Sequence, residues 1–291
     1  MNFSEKLKEI RKNEGLSQEQ LAEKIGVSRQ AITKWETGKG LPDIENMMII
    51  AEIFKTTLDE LISSPVTKTS PAKQTYTSET LYDIDCEKHF DINIGSASNI
   101  TLSSGCDEKL HICLQSDTQK NIGELFKIKL DEKKNKLDVN CVYKDKISRF
   151  EAEDSLSVEI ILPVRYSDHC ELEASAKYLE IKGLRLRRLE YDGDAQRIVI
   201  SNSSGSLEFT SKTDYDITLD HIEGSLDVNQ WKSKTIVHIP EKNLPSIQNK
   251  GRKCDVYFMK NNERCNPETS AESEDTLSIS GIYSELIVDL I

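Results

Sequence analysis

The sequence predicts a multidomain chain: an all-α five-helix domain over residues 1–62, a flexible linker at 63–80, and an all-β repeat domain over 81–291. Three observations carry this reading. Helix start and stop signals are nearly complete from Phe3 to Ile62. Residues 63–80 hold Ser63-Ser64-Pro65 and Ser70-Pro71 among many Thr, Lys and Gln, with few apolar side chains. From about Leu81 the apolar pattern then changes from a helical to an alternating period.

The bulk properties agree. A length of 291 residues suits roughly two domains. A chain that is 37% hydrophobic and 30% charged is globular rather than disordered or membrane-embedded. No apolar run approaches the ~18 residues of a membrane span. The first residues, Met1 to Lys6, mix charges and lack the apolar region of a signal peptide. Seven cysteines with no CxxC pair fit reduced thiols. The expected location is the cytoplasm, without membrane partners.

In the head, a first helix is expected from Phe3 to Glu14, because Phe3, Leu7 and Ile10 share one face and Gly15 supplies a left-handed stop. Ser17-Gln18-Glu19-Gln20 is a capping box opening a second helix to Ile25, with Leu21, Ala22 and Ile25 inward. Gly26 makes the turn and Val27 plugs it. Ser28 caps a third helix to about Thr37, which Gly38 and Gly40 end. Pro42 and Asp43 start a fourth helix through Phe54, and Thr57-Leu58-Asp59-Glu60 caps a short fifth.

Small Ala22, Gly26 in the turn and Val27 with Ile32 in the joint describe a helix-turn-helix, whose second helix can enter a DNA major groove. The exposed side of the third helix of the chain carries Ser28, Arg29, Gln30, Thr33 and Lys34. Arg suits guanine O6/N7, Gln suits adenine N6/N7, and Thr suits either base or a thymine methyl. Gln18 would present an amide and a helix N-terminus to phosphate, and Lys39 is placed for a phosphate contact. Trp35 is in phase with the core, and Glu19 and Glu23 are expected in solvent.

The stretch Leu16-Ser17-Gln18-Glu19-Gln20-Leu21-Ala22, with Gly26-Val27-Ser28 and Ile32-Thr33-Lys34-Trp35-Glu36-Thr37-Gly38, resembles the lambda-repressor-like family. These are also called xenobiotic-response-element or Cro/C1-type regulators. The resemblance implies that Gln18 and Ser28 anchor phosphates while Arg29, Gln30 and Lys34 face bases. It also implies a structural ion pair between Arg11 in the first helix and Glu36.

A net charge of −12 looks unpromising for a DNA-binding protein, so its distribution matters. Residues 1–62 hold 9 Lys/Arg and 11 Asp/Glu, leaving 29 and 39 for residues 63–291, so the acidity lies mostly in the second part. A near-neutral head binds a phosphate backbone when its basic groups share a face.

In the second domain apolar-x-apolar triplets start at Leu179, Leu189, Ile198, Leu207, Ile217, Leu226 and Ile236, with turn residues between them. Successive starts are almost evenly spaced. That regularity favours a β-solenoid with two strands per coil of about 19 residues over a β-sandwich or barrel. Phe126–Leu130 and Lys136–Val142 read as a hairpin protruding from the stack. The apolar end, Leu286 to Ile291, is expected to cap the stack or pair with a partner chain. The strands around Leu156 to Pro163 and the series after them resemble the putative-adhesin class of bacterial β-solenoids.

Nothing in this region reads as catalytic. His89, His111, His169, His221 and His238 are scattered, with no HxH or HExxH spacing. His169 and Cys170 point to opposite faces of a strand, which does not suit a nucleophile–base pair. Cys106 and Cys113 read as half-buried strand thiols rather than a redox pair. The expectation is therefore no enzyme, no cofactor and no metal site. The chain reads as a bacterial, dimeric, sequence-specific transcriptional repressor on a palindromic double-stranded operator. Its second domain dimerises, receives an effector or protein partner, or does both. The alternative is an interaction scaffold or antitoxin-like partner with autoregulatory DNA binding.

Overall fold

The computed structural model describes residues 7–8, 11, 16–37, 39–40, 42–54, 75–144, 147–266 and 273–291. The chain divides into two compact units, residues 1–73 and 74–291.

The first unit holds α1 (Gln18–Ile25), α2 (Arg29–Glu36) and α3 (Ile44–Ile53). Leu7, Lys8 and Arg11 are also helical, in the predicted first helix. The rest of that helix, and the predicted fifth at Thr57–Glu60, lie outside the described residues. Ser17 Oγ accepts the Gln20 N–H at 3.1 Å while Gln20 Oε1 accepts the Ser17 N–H at 2.8 Å, a reciprocal cap that satisfies two otherwise orphaned donors. Gly26, at φ 82°, ends α1 with its N–H on Ala22 O. Ser28 Oγ accepts the Ala31 N–H at 3.2 Å and Asp43 Oδ1 the Asn46 N–H at 2.9 Å, which start α2 and α3. Leu7, Leu21, Ala22, Ile25, Ile32, Trp35 and Ile50 form the core, with Leu16 and Val27 packed against it.

The second unit begins with β1 (Tyr76–Asp83), β2 (Lys88–Gly105) and β3 (Lys109–Ser116). After α4 (Ile122–Leu125) come β4 (Phe126–Lys133) and β5 (Lys136–Tyr143), then α5 (Arg149–Ser155), β6 (Ser157–Pro163) and β7 (Ser167–Lys182). Six strands follow in quick succession: β8 (Arg185–Asp192), β9 (Ala195–Ser201), β10 (Ser203–Ser211), β11 (Tyr215–Leu219), β12 (Ile222–Trp231) and β13 (Lys234–Ile239). The chain closes with β14 (Ser246–Asn249), β15 (Asp255–Lys260), β16 (Glu263–Cys265), β17 (Thr276–Ile282) and β18 (Glu285–Leu290).

Two open ladders result. The first runs β4–β5–β2–β7–β8–β10–β12–β17–β14 and is parallel apart from the β4–β5 hairpin. The second runs β1–β3–β6–β2–β7–β9–β11–β13–β18–β15–β16, parallel between β6 and β15. The long strands β2 and β7 belong to both. Leu189 pairs with Leu207 and Leu207 with Leu226, while Leu179 pairs with Ile198 and Ile198 with Ile217, so equivalent residues lie 18 or 19 apart. All of these side chains point inward and are buried.

Four expectations need correction. Ile217 pairs with Val237, not Ile236, because four residues separate Gln230 from Thr235 where three separate their register partners Ser211 and Tyr215; Thr235, Val237 and Ile239 are therefore the inward side chains. The β4–β5 hairpin does not protrude freely, since β5 pairs with β2 and buries Leu137 and Val139. The last strand, β18, is neither a cap nor a free edge: β13 and β15 flank it on both sides. Cys106 lies exposed just past the end of β2 rather than half-buried in a strand, whereas Cys113 is half-buried in β3. In addition, β1 starts at Tyr76, inside the stretch that composition assigns to a linker. Among the described residues no helix is long and apolar enough to cross a membrane.

Candidate nucleic-acid interface

At 3.6 residues per turn, Arg29, Gln30, Thr33 and Lys34 cover roughly 140° of the circumference of α2. All four are exposed, while Ile32, Trp35 and Glu36 occupy the opposite, buried side. Ser28 and Lys39 are exposed at either end of the helix. Among the described residues no ion pair engages Arg29, Lys34 or Lys39, so their charges face solvent. One helix face thus offers two cations, an amide and a hydroxyl. That set can meet base edges and phosphate oxygens.

Beneath this face lies a polar network that fixes α2. Glu36 accepts from Arg11 Nε at 2.5 Å, from Arg11 Nη2 at 3.0 Å and from Gln18 Nε2 at 2.8 Å. Arg11 Nη1 also donates to Leu16 O at 2.6 Å. Gln18 Oε1 accepts from Thr33 Oγ1 at 3.2 Å, tying the start of α1 to the middle of α2. Burial acts to raise the Glu36 carboxyl, but hydrogen bonds from Arg11 and Gln18 outweigh it and hold the group below its ordinary range. The same hydrogen bonding, donated to Glu36, raises the Arg11 guanidinium above its ordinary value.

The structure therefore brings Arg11 and Glu36 together and puts Arg29, Gln30, Thr33 and Lys34 on one surface. Gln18 is half-buried, with both ends of its amide engaged within the head. Sequence reasoning did not find the links from Gln18 to Glu36 and to Thr33. They join residues 18 and 15 positions apart, and no local spacing signals them.

The fold and this face define a helix-turn-helix domain. A model of the helix-turn-helix family matches residues 7–61. The HTH-type transcriptional activator BcrR of Enterococcus faecalis is 52% identical over 63 residues, 22% of this chain and 31% of that protein. The cryptic phage CTXphi transcriptional repressor RstR of Vibrio cholerae is 39% identical over 61 residues, 21% of this chain and 54% of RstR. An uncharacterized HTH-type transcriptional regulator of Archaeoglobus fulgidus is 36% identical over 56 residues, which are 19% of this chain but 80% of that one. The chain belongs to this Cro/C1-type helix-turn-helix family of transcriptional regulators. It spans from about a third to about half the length of BcrR and RstR.

The β region has structural likenesses as well. A putative cell adhesion protein from Clostridium sporogenes superposes at TM-score 0.38 and 10% identity, covering 75% of this chain and 100% of the other. A putative adhesin from Bacteroides fragilis does so at TM-score 0.31 and 14% identity, covering 76% and 99%.

Proposed function

We propose that this chain is a sequence-specific, double-stranded-DNA-binding transcriptional regulator that inserts α2, the third helix counted from the N-terminus, into the major groove. The single observation that carries the reading is the surface formed by Arg29, Gln30, Thr33 and Lys34 on a helix whose other side is buried. Arg29, Gln30 and Lys34 read bases, Ser28 and Lys39 hold phosphates, and Gln18 contributes the N-terminus of α1 to the backbone. Two heads act together on a palindromic operator, in the cytoplasm, as a homodimer. The parallel ladders of the second unit are the coils of a β-solenoid that pairs the heads, senses an effector or protein partner, or does both. Direct repression is the expected outcome, although the relatives' names include an activator and a repressor, so a promoter reporter decides the sign.

Selection of bound DNA in vitro by the full-length protein, at stated salt, tests the reading. The expected product is one palindromic consensus with half-sites about 10 bp apart. Arg29→Ala should cost about 1–3 kcal/mol at the cognate site and relax the preference at one base position. An unchanged consensus with Arg29→Ala and with Gln30→Ala removes α2 as the reading helix.

A further inference from the structure

The outward face of the first β ladder carries two rows of side chains set by strand register. One row is acidic: Asp138, Asp91, Glu171, Glu190, Glu208 and Asp227 follow one another on β5, β2, β7, β8, β10 and β12. Neighbouring strands are about 4.8 Å apart, so such a row repels itself unless cations stand beside it. Lys136 serves Asp91 at 2.7 Å and Asp138 at 3.2 Å, and Arg188 serves Glu190 and Glu208, both at 2.9 Å. Between them, Glu171 has no lysine or arginine partner among the described residues. It meets His89 Nε2, at 3.1 Å.

The second row explains why. Lys136, His89, His169 and Arg188 stand in register on β5, β2, β7 and β8. Two imidazoles thus occupy the middle positions of a row whose ends are cations. Their ring centroids are 4.1 Å apart, with the planes tilted by 43°.

We propose that His89, His169 and Glu171 form a binding site for a divalent transition-metal ion, with zinc as the ion. One donor atom from each of the three lies within 4.8 Å of the others. Two imidazole nitrogens and one carboxylate oxygen suit zinc and its first-row neighbours rather than calcium or magnesium. Three protein ligands leave a coordination position for water. His89 Nε2 is a buried nitrogen with no hydrogen bond, because its contact with Glu171 lacks hydrogen-bond geometry. A metal ion gives that nitrogen a partner. Glu190 Oε1 lies 3.0 Å from His169 Nε2, a carboxylate placed to orient the ring, as the second partner of a metal-bound imidazole commonly does. A groove of about 290 Å³ lined by His89 and His169, together with Lys88, Asp168 and Arg187, gives solvent a route to the two histidines. The ion would join β2 to β7 and place a positive charge beside Glu171, the interior carboxylate of the acidic row that no lysine or arginine serves among the described residues. His89 and His169 are brought together by the pairing of strands distant in sequence, so no spacing motif announces the site.

The test uses full-length protein without a histidine tag, stripped by a chelator and titrated with zinc in a calorimeter. One zinc per chain is expected, bound about tenfold or more weakly in each of His89→Gln, His169→Gln and Glu171→Gln. Zinc should also raise the melting temperature of the parent protein and raise that of Glu171→Gln distinctly less at the same zinc concentration. This second readout holds even where a histidine variant folds poorly. Cobalt in place of zinc should give d–d absorption without a thiolate charge-transfer band. Absence of saturable zinc binding, undiminished binding in the His89→Gln/His169→Gln double variant, or a thiolate band from the exposed Cys86 or Cys106 overturns the assignment.

Discussion

Glu36 is 7% exposed and takes three hydrogen bonds, two from Arg11 and one from Gln18. Removing one partner of a buried ion pair leaves the other charged and unsatisfied, so Glu36→Ala should destabilise the head by about 3 kcal/mol or more. Trp35 is buried in the head core and Trp231 is 57% exposed, so Trp35 fluorescence in a Trp231→Phe background reports the transition during denaturation. A stability change under about 1 kcal/mol would remove the pair from the framework. The pH dependence has a definite sign. Because the folded carboxyl lies below its ordinary range, its contribution is complete above the unfolded value of about 4.3 and is lost as pH falls through the folded one. Glu36→Gln should accordingly flatten the acid limb of the head's stability profile. Lys39 makes a different prediction: Lys39→Ala should weaken all DNA sequences alike and lower the salt slope by about 1. The Arg11–Glu36 pair could be expected from family resemblance, whereas the engagement of Gln18 could not. A glutamine at a helix start looks the same in sequence whether its amide faces phosphate or a buried carboxylate.

The strand period was legible because alternation and turn residues recur locally, and equivalent inward residues do stack 18 or 19 apart. What local pattern could not supply was the effect of a single added residue. One extra position before β13 reverses which side chains face inward, so Ile236 gives way to Val237. Pairing between distant strands was equally hidden: β17 joins β12 across 51 positions, from Leu226 to Leu277. Two glycines at positive φ, Gly183 between β7 and β8 and Gly205 within β10, give a test at this scale. Gly205 has φ +122°, and a Cβ there would fall 1.9 Å from Leu186 O. Gly183 has φ +58° and open space around its Cβ position. Gly183→Ala should cost only about 1–2 kcal/mol for the left-handed backbone, while Gly205→Ala adds a backbone collision and should cost roughly 3 kcal/mol or more. Thermal unfolding followed by the far-ultraviolet β signal measures both. Equal losses would mean that close strand stacking at Gly205 does not limit the β unit.

At the scale of the whole molecule, charge is divided between the two parts. Residues 1–62 carry a net −2 and the remainder −10, so the body repels a phosphate backbone while the head is nearly neutral. Non-specific attraction should then be weak, and in the proposed homodimer useful affinity comes from specific contacts made twice. A single head contributes few phosphate contacts; a second head held nearby converts the next contact into an intramolecular one. That gain is commonly about 10²–10⁴-fold. Full-length protein should therefore bind a palindromic site at least about 10²-fold more tightly than the same DNA with one half-site scrambled. Affinity for the palindrome should fall steeply with salt, because each phosphate contact releases a counterion. Sedimentation at the same protein concentrations should find a dimer before DNA is added. Equal affinity for the intact and the half-scrambled site, with a monomer in sedimentation, would leave the β unit without the task of pairing heads. It would move that unit's role toward effector or partner binding alone.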